Sequence, residues 1–362
     1  MNPSPLREKT QFPRSDMELV EQIRAQKEAW GKELLILTHH YQRQEIVALG
    51  DYRGDSFGLS QKAAANREAR FIVFCGVHFM AESAAILAQP QQTVQIPDMK
   101  AGCLMADMVD LELVEMAWEE LTGLAGEEAI LPIVYMNSDA SLKAFCGRQG
   151  GAVCTSSNAL AALNWGLGVR KKVFFFPDQH LGRNVGNQLG LKPEDMVVWN
   201  PDLLLGGCRP ETLSRARLIL LYGYCHVHTH FQVEQVLEMK KSFPAAKLVV
   251  HPECTAEVVA LADACGSTGF IVDYVKKAPP RTTIIVGTEI NLVHRLALEN
   301  PDKEVLELHY SLCPNMFRIN PNNLLWTLEN LGQVNVVTVP ESVKAEARLA
   351  LERMLALPPR AI

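Results

Sequence analysis

Eight segments of this chain repeat one pattern: a short apolar run, a polar or glycine-containing turn, then helical periodicity. They are "ELLILTHHYQ", "RFIVFCGVHFMAES", "TVQIPDMKAG", "LPIVYMNSDASLK", "KVFFFPDQHLGRN", "RLILLYGYCHVH", "KLVVHPECTAE" and "TIIVGTEINLV". A continuous apolar run, rather than an alternating one, is what a strand covered on both faces requires. Strands of this kind separated by helices build parallel sheets, so the fold class is α/β. Capping residues mark several helix starts: Ser138 or Asp139, Thr255 and Thr288.

A chain of 362 residues exceeds one small core and suits two or three domains. Comparable runs open at Leu34, Pro132 and Leu218, 98 and 86 residues apart, and each interval holds enough strands for one small αβα sandwich. The expected organisation is a helical leader over 1–29, αβα domains over 30–124, 125–212 and 213–317, and a C-terminal helical segment over 318–362. Within that last segment "PESVKAEARLALERMLAL" reads as a helix over 340–357 that packs back on the core.

The net charge of −6 argues against a nucleic-acid partner, which calls for a basic face. A local pocket can still be positive and receive small anions. The opening "MNPSPLREKTQFPRSDMELVEQ" has no apolar signal core, so a cytoplasmic protein is expected. No stretch reaches the roughly 20 apolar residues that span a bilayer, and no membrane partner is expected. Nine cysteines in that setting are not a disulfide framework.

Ligands of parallel α/β sheets bind where strand carboxyl ends meet helix N-termini. The polar residues that follow the runs are His39, His40, Tyr41, Cys103, Tyr135, Asn137, Ser156, His180, Cys225, His228, His251, Glu253, Ser267, Thr268 and Cys313. Among the cysteines, Cys75, Cys146, Cys154 and Cys265 sit in or beside apolar or helical patterns and read as buried thiols. Cys254 stands at a helix start. Cys103, Cys208, Cys225 and Cys313 lie in Gly- or Pro-containing turns, where a thiolate can reach a metal. No Cys-x-x-Cys pair occurs, which counts against a zinc ribbon or a ferredoxin-type loop. Three readings fit these residues: a zinc-dependent hydrolase built on the His-x-His of "YCHVHTH" with His251 and Glu253, a cluster shared by dispersed cysteines, or a non-catalytic iron–sulfur redox sensor.

A dozen segments in order resemble quinolinate synthase, the family that makes quinolinate in de novo NAD biosynthesis. They are "THHYQ", "GDSFGLS", "FCGVHFMAESA", "DMKAGCLMAD", "YMNSDASLKA", "VCTSSNA", "FPDQHLGRN", "GYCHVH", "HPEC", "GSTGFI", "GTEINLVHRL" and "CPNM". The resemblance implies three αβα domains in a pseudo-threefold arrangement around one [4Fe–4S] cluster. It implies three cysteine ligands, matching Cys103, Cys225 and Cys313, and an open iron acting as Lewis acid. Cys208 matches no ligand position and becomes a loop residue. The implied reaction condenses iminoaspartate, supplied by an aspartate oxidase, with dihydroxyacetone phosphate, and releases phosphate and two waters.

Proton movements in such chemistry call for groups that titrate near neutrality. His251 and Glu253, spaced i, i+2 and so pointing the same way from an extended segment, form the expected acid–base set with Tyr41. Ser56, Ser156, Ser267 and Thr268 stand at expected helix starts, where N–H and hydroxyl groups receive carboxylate or phosphate oxygens. His39, His228, Tyr135 and Asn137 complete the lining by family match, while His226 and His230 fall outside it. Two departures stand out: "HHY" replaces the usual His-Asn-Tyr at His40, and "HYSLCP" lacks the extra cysteines of a disulfide switch.

Overall fold

The structure is a computed structural model that describes residues 16–358; residues 1–15 of the expected leader and residues 359–362 lie outside the described residues. The chain divides into two compact units, one from Met1–Cys103 and Cys313–Pro340, the other from Leu104–Leu312 and Glu341–Ile362.

The first unit holds a four-stranded sheet of β1 (Leu34–His39), β2 (Tyr52–Gly54), β3 (Phe71–Cys75) and β4 (Thr93–Gln95), in the order β2-β1-β3-β4. The second unit holds two sheets. One contains β5 (Ile130–Tyr135), β6 (Ala152–Cys154), β7 (Lys172–Phe176), β8 (Met196–Trp199) and β9 (Leu218–Leu221), in the order β6-β5-β7-β9-β8. The other contains β10 (Lys247–Val250), β11 (Ala264–Cys265), β12 (Thr283–Gly287) and β13 (Glu304–Glu307), in the order β11-β10-β12-β13. Every strand pairing within these sheets is parallel, and the α/β class read from the apolar runs holds. β1, β3, β5, β7 and β9 are buried along their whole length, as helix-covered parallel strands must be.

One expectation is overturned. The run at Leu218 does not open a third sheet: as β9 it lies inside the second, between β7 and β8. A boundary at 212/213 would cut that sheet in two. The third sheet opens at Lys247, so the three first strands begin at 34, 130 and 247. A buried apolar run carries no label for the sheet it joins, which is why "LILL" misled. With that correction the first and third sheets share one strand order, and the second follows it with β8 added at its edge.

The repeat extends to single residues. In the first sheet Asp51, just before β2, accepts the Ile36 N–H at 2.7 Å through Oδ2. In the third, Asp263, just before β11, accepts the Leu248 N–H at 2.9 Å. A lysine from the preceding helix supports each: Lys27 pairs with Asp51 at 2.8 Å and donates to Leu49 O, while Lys240 donates to Leu261 O. The register puts Gly151 opposite Pro132 at the equivalent place in the second sheet. Proline has no N–H to offer, and no carboxylate stands there. A Cβ on Gly151 would lie 1.9 Å from Pro132 O.

The expected C-terminal segment splits between the units. Residues 318–340 close over the first sheet, where Gln95 Nε2 donates to Val334 O at 2.5 Å and Gln95 Oε1 accepts the Gly332 N–H at 2.8 Å. The closing helix, Glu341–Ala356, lies on the second sheet against the helix Ala140–Arg148. Arg148 pairs with Glu346 at 2.6 Å, Arg353 donates to Gly151 O at 2.6 Å, and Asn158 Nδ2 donates to Met354 O at 3.1 Å.

The two helices pack tightly at Gly147, where a Cβ would fall 1.9 Å from the Glu346 carbonyl oxygen. Because the obstacle is backbone, Gly147→Ala must push the closing helix away. We expect a loss of about 3 kcal/mol, read as a lowered Tm against wild type, whereas Gly168→Ala, where a Cβ meets open space, should leave Tm at or above it.

Candidate active site

Polar side chains expected at the strand ends occupy matching places in all three sheets. At the carboxyl end of each first strand stands a polar pair spaced i, i+2. His39 with Tyr41 and Tyr135 with Asn137 begin at the last residue of the strand, and His251 with Glu253 just after it. After each second strand comes a hydroxyl: Ser56, Ser156, then Ser267 with Thr268. The cysteines follow the strand beside the third strand on its far side: Cys103 after β4, Cys225 after β9 and Cys313 after β13. Placing β9 in the second sheet thus leaves one of these cysteines after each sheet.

In the first unit, the Tyr41 N–H donates to His39 Nδ1 at 3.1 Å, and the two rings meet edge to face at 4.9 Å. His40 is buried, and its N–H donates to Gly54 O at 3.1 Å. Ser56 is the first residue of its helix, behind the cap Asp55. Cys313 caps a one-turn helix, Pro314–Phe317, that is tied to the loop after β1. Gln42 Nε2 lies 3.3 Å from Met316 Sδ, while Arg43 donates to Phe317 O at 2.9 Å and covers the Phe317 ring. Arg318 pairs with Asp98 at 3.1 Å, just ahead of the Cys103 loop.

In the second unit a single buried carboxylate gathers three other predicted residues. Glu253 is 3% exposed. Tyr135 Oη donates to its Oε1 at 2.5 Å and His228 Nδ1 donates to its Oε2 at 2.7 Å. The His251 ring stacks on that of His228 with centroids 4.3 Å apart. Partners fix the tautomers. His228 carries hydrogen on Nδ1 because it faces a carboxylate, whereas His251 Nδ1 accepts the Glu253 N–H at 3.3 Å and leaves the proton on Nε2. Burial would raise the Glu253 pKa, but the two histidines and the hydrogen bonds from His228 and Tyr135 outweigh it and hold the carboxyl well below its usual range. Asp178 shows the opposite balance: burial, then the Glu253 charge, drives its pKa well up, although the His180 and Leu181 amides hydrogen-bond it. The two shifts run in opposite directions, Glu253 toward the charged form and Asp178 toward the protonated one.

Cys225, half-buried, caps the one-turn helix His226–Thr229 with backbone angles close to those of Cys313. Its sulfur, a ring nitrogen of His228 and a carboxylate oxygen of Glu253 all lie within 4.8 Å of one another, a set able to hold a metal ion. The thiols of Cys75, Cys146, Cys154, Cys208, Cys254 and Cys265 have pKa values raised by burial, which keeps them protonated. Cys254 packs in the core with Phe231, Val250 and Ile285, and Cys208 Sγ lies 3.3 Å from Val198 O.

Ser267 caps its helix by accepting the Phe270 N–H at 3.3 Å, with Thr268 as the first helical residue. Ser156 differs from expectation: its helix starts at Ala159 behind Asn158, so Ser156 lies in the turn before it. Asn137 is half-buried in the turn after β5. His226 is half-buried, and His230 is exposed beside His309.

The sequence reading assigned no site role to two residues that shape this site. Thr288, expected at a helix start, is not the cap, which is Glu289; Thr288 Oγ1 instead meets His228 Nε2 at 3.1 Å. Asn184 stood in "FPDQHLGRN" without a role. Its Nδ2 donates to Pro252 O at 2.9 Å and Cys254 O at 2.8 Å, clamping the backbone on both sides of Glu253. Asn184→Leu would leave two buried carbonyls unsatisfied, and we expect a cost of about 3 kcal/mol in denaturant unfolding; a loss below about 0.5 kcal/mol would mean that the clamp carries no weight.

The chain is similar to known proteins along nearly its whole length. A family profile described as quinolinate synthetase A protein matches residues 21–356. The chain is 47% identical over 352 residues to a quinolinate synthase of Corynebacterium glutamicum, covering 96% of this chain and 89% of that one. It is 47% identical over 360 residues to that of Geobacillus kaustophilus, covering 98% and 96%. With the quinolinate synthase of Nocardioides sp. it shares 48% identity over 358 residues, covering 96% and 91%. The chain belongs to the quinolinate synthase family.

Proposed function

We propose that the chain condenses iminoaspartate with dihydroxyacetone phosphate to quinolinate, releasing phosphate and two waters, as a cytoplasmic enzyme fed by an aspartate oxidase. The observation that carries this reading is the charged Glu253, buried against Tyr135 and His228 beside the Cys225 turn. Cys103, Cys225 and Cys313 would hold a [4Fe–4S] cluster. The donor set fits it: each of the three thiols is half-buried in a turn after the corresponding strand of its sheet. Burial raises the pKa of the other six, Cys208 and Cys265 included although they too are half-buried. When bound, such a cluster supplies a Lewis-acidic iron with an open position.

The chain's own residues supply the proton handling. Glu253 belongs to the set as the anion that aims the Tyr135 phenol and the His228 imidazole, since a carboxyl held well below its usual range is by itself a weak base. His251 offers a proton: with Nδ1 occupied by a backbone amide, it carries hydrogen on Nε2. Tyr41 is the third member of the acid–base set, and the Tyr41 N–H fixes the His39 ring in the same way. The hydroxyls of Ser56, Ser156, Ser267 and Thr268, with the amides around them, receive carboxylate and phosphate oxygens. His39, Tyr135, Asn137 and His228 orient the substrate. Among the described residues no helix is long and apolar enough to cross a membrane.

Protein purified without oxygen should be brown, with about four irons and four sulfides per chain, and should form quinolinate from dihydroxyacetone phosphate and enzymatically generated iminoaspartate. Colourless, zinc-loaded protein would favour a hydrolase built on Cys225, His228 and Glu253, while a full cluster without synthase activity would favour a redox sensor. In Glu253→Gln the iron content should stay and turnover should fall by about a hundredfold or more; full activity there would remove Glu253 from the chemistry.

The ligand set has its own test in two turn cysteines. Cys313→Ser should emerge nearly iron-free and inactive. Cys208→Ser loses only a thiol packed near Val198 O and should keep its iron at a stability cost of at most ~1 kcal/mol. Loss of the cluster from Cys208→Ser would overturn the ligand assignment.

A further inference from the structure

We propose that Thr288 is a positioning residue for the reaction: its hydroxyl fixes the ring of His228, and through it the placement of the proton that His228 presents to Glu253. The inference rests on the synthase reading of this site.

Both ring nitrogens of His228 are engaged, in a ring that is 1% exposed. Nδ1 meets Glu253 Oε2 at 2.7 Å and Nε2 meets Thr288 Oγ1 at 3.1 Å. An imidazole can flip about its Cβ–Cγ bond and exchange the edges it presents. Glu253 alone, accepting from one nitrogen, pins one corner of the ring. A second partner on the opposite corner, from another segment of chain, pins the ring plane. The stacked face of His251, 21° from parallel, limits the ring in the third direction.

Thr288 suits this task because it cannot move. It is 0% exposed and joins the end of β12 (Gly287) to the cap Glu289, whose Oε2 accepts the Asn291 N–H at 2.9 Å. One residue further, the Ile290 N–H donates to Ser311 O at 2.9 Å, and Ser311 Oγ donates to Val227 O at 2.7 Å, next to His228. The segment that carries the hydroxyl is thus tied to the segment that carries the imidazole by one further bridge, through Ser311. A threonine hydroxyl both donates and accepts. It therefore serves as partner to Nε2 whether or not that nitrogen bears hydrogen, which a carbonyl or an amide N–H cannot do.

The test uses holoenzyme purified without oxygen, with quinolinate formation measured alongside iron content and Tm. Thr288→Val keeps the shape and removes the hydroxyl; Thr288→Ser keeps the hydroxyl and removes the methyl. Loss of a buried hydrogen-bond partner to a reacting group predicts a kcat reduced about tenfold or more in Thr288→Val, with KM within about threefold and iron content unchanged. Thr288→Ser should restore kcat to within about threefold of wild type. Thr288→Val with wild-type kcat would overturn the proposal. So would Thr288→Ser as impaired as Thr288→Val, because the methyl packing would then be what matters. Wild-type protein that forms no quinolinate would instead defeat the synthase reading itself, and the paired variants keep the two failures apart.

Discussion

A parallel strand covered by helices on both faces has little room along its length for polar side chains, and one that it does carry, such as Thr38 in β1 or Lys172 in β7, is buried with a backbone carbonyl as its partner. Its backbone groups are spent on the ladder and its side chains on the core, so chemistry is confined to the ends. The first and third strands of the first two sheets are buried throughout. The placement of every expected site residue follows from this constraint. The residues at the end of a first strand alternate in direction, which brings His39 with Tyr41, and His251 with Glu253, to one side. The intervening Pro252 and the following Cys254 turn elsewhere, Cys254 into the core.

The same burial gives Glu253 its character. In a site this dry, Coulomb terms weigh far more than at the surface, and two carboxyl groups within each other's field cannot both ionise. Asp178, hydrogen-bonded by the His180, Leu181 and Cys225 backbone amides, is pushed toward the protonated form, and Glu253, which has a phenol and an imidazole aimed at it, toward the charged one. Asn184, reaching from the helix after β7 to the carbonyls around Glu253, holds the geometry that makes this division stable.

Much of this was legible in the sequence, and what was not has physical reasons. The apolar runs declared the buried strands, and the polar letters behind them declared the site. The eight apolar runs omit the edge strands β2, β6, β8, β11 and β13. Of these, β2, β11 and β13 are partly exposed, and β6 is only three residues long, so no sustained apolar run marks those four. β9 was recognised as a strand but given to the wrong sheet, because sheet membership is decided by long-range pairing that no local pattern encodes. Asn184 and Thr288 were overlooked for a related cause. Each acts on a residue distant in sequence, and a lone asparagine or threonine on a helix or at a strand end carries no sign of its partner. Ser156 was placed at a helix start because Asn158, the actual cap, follows so closely.

The exchange of Asp for Gly opposite Pro132 bears on how such a chain can change over time. In two sheets a carboxylate answers a strand N–H; in the other the strand residue is Pro132, with no N–H, and Gly151 lets the backbones close together. Neither arrangement can turn into the other by one substitution without loss. An aspartate at 151 would drive a Cβ into the Pro132 carbonyl and face a ring with nothing to donate. An isoleucine at 132 would present an N–H to a glycine without an acceptor. The two positions are epistatic, and any mutational path between the two solutions crosses a less stable intermediate, whichever step comes first.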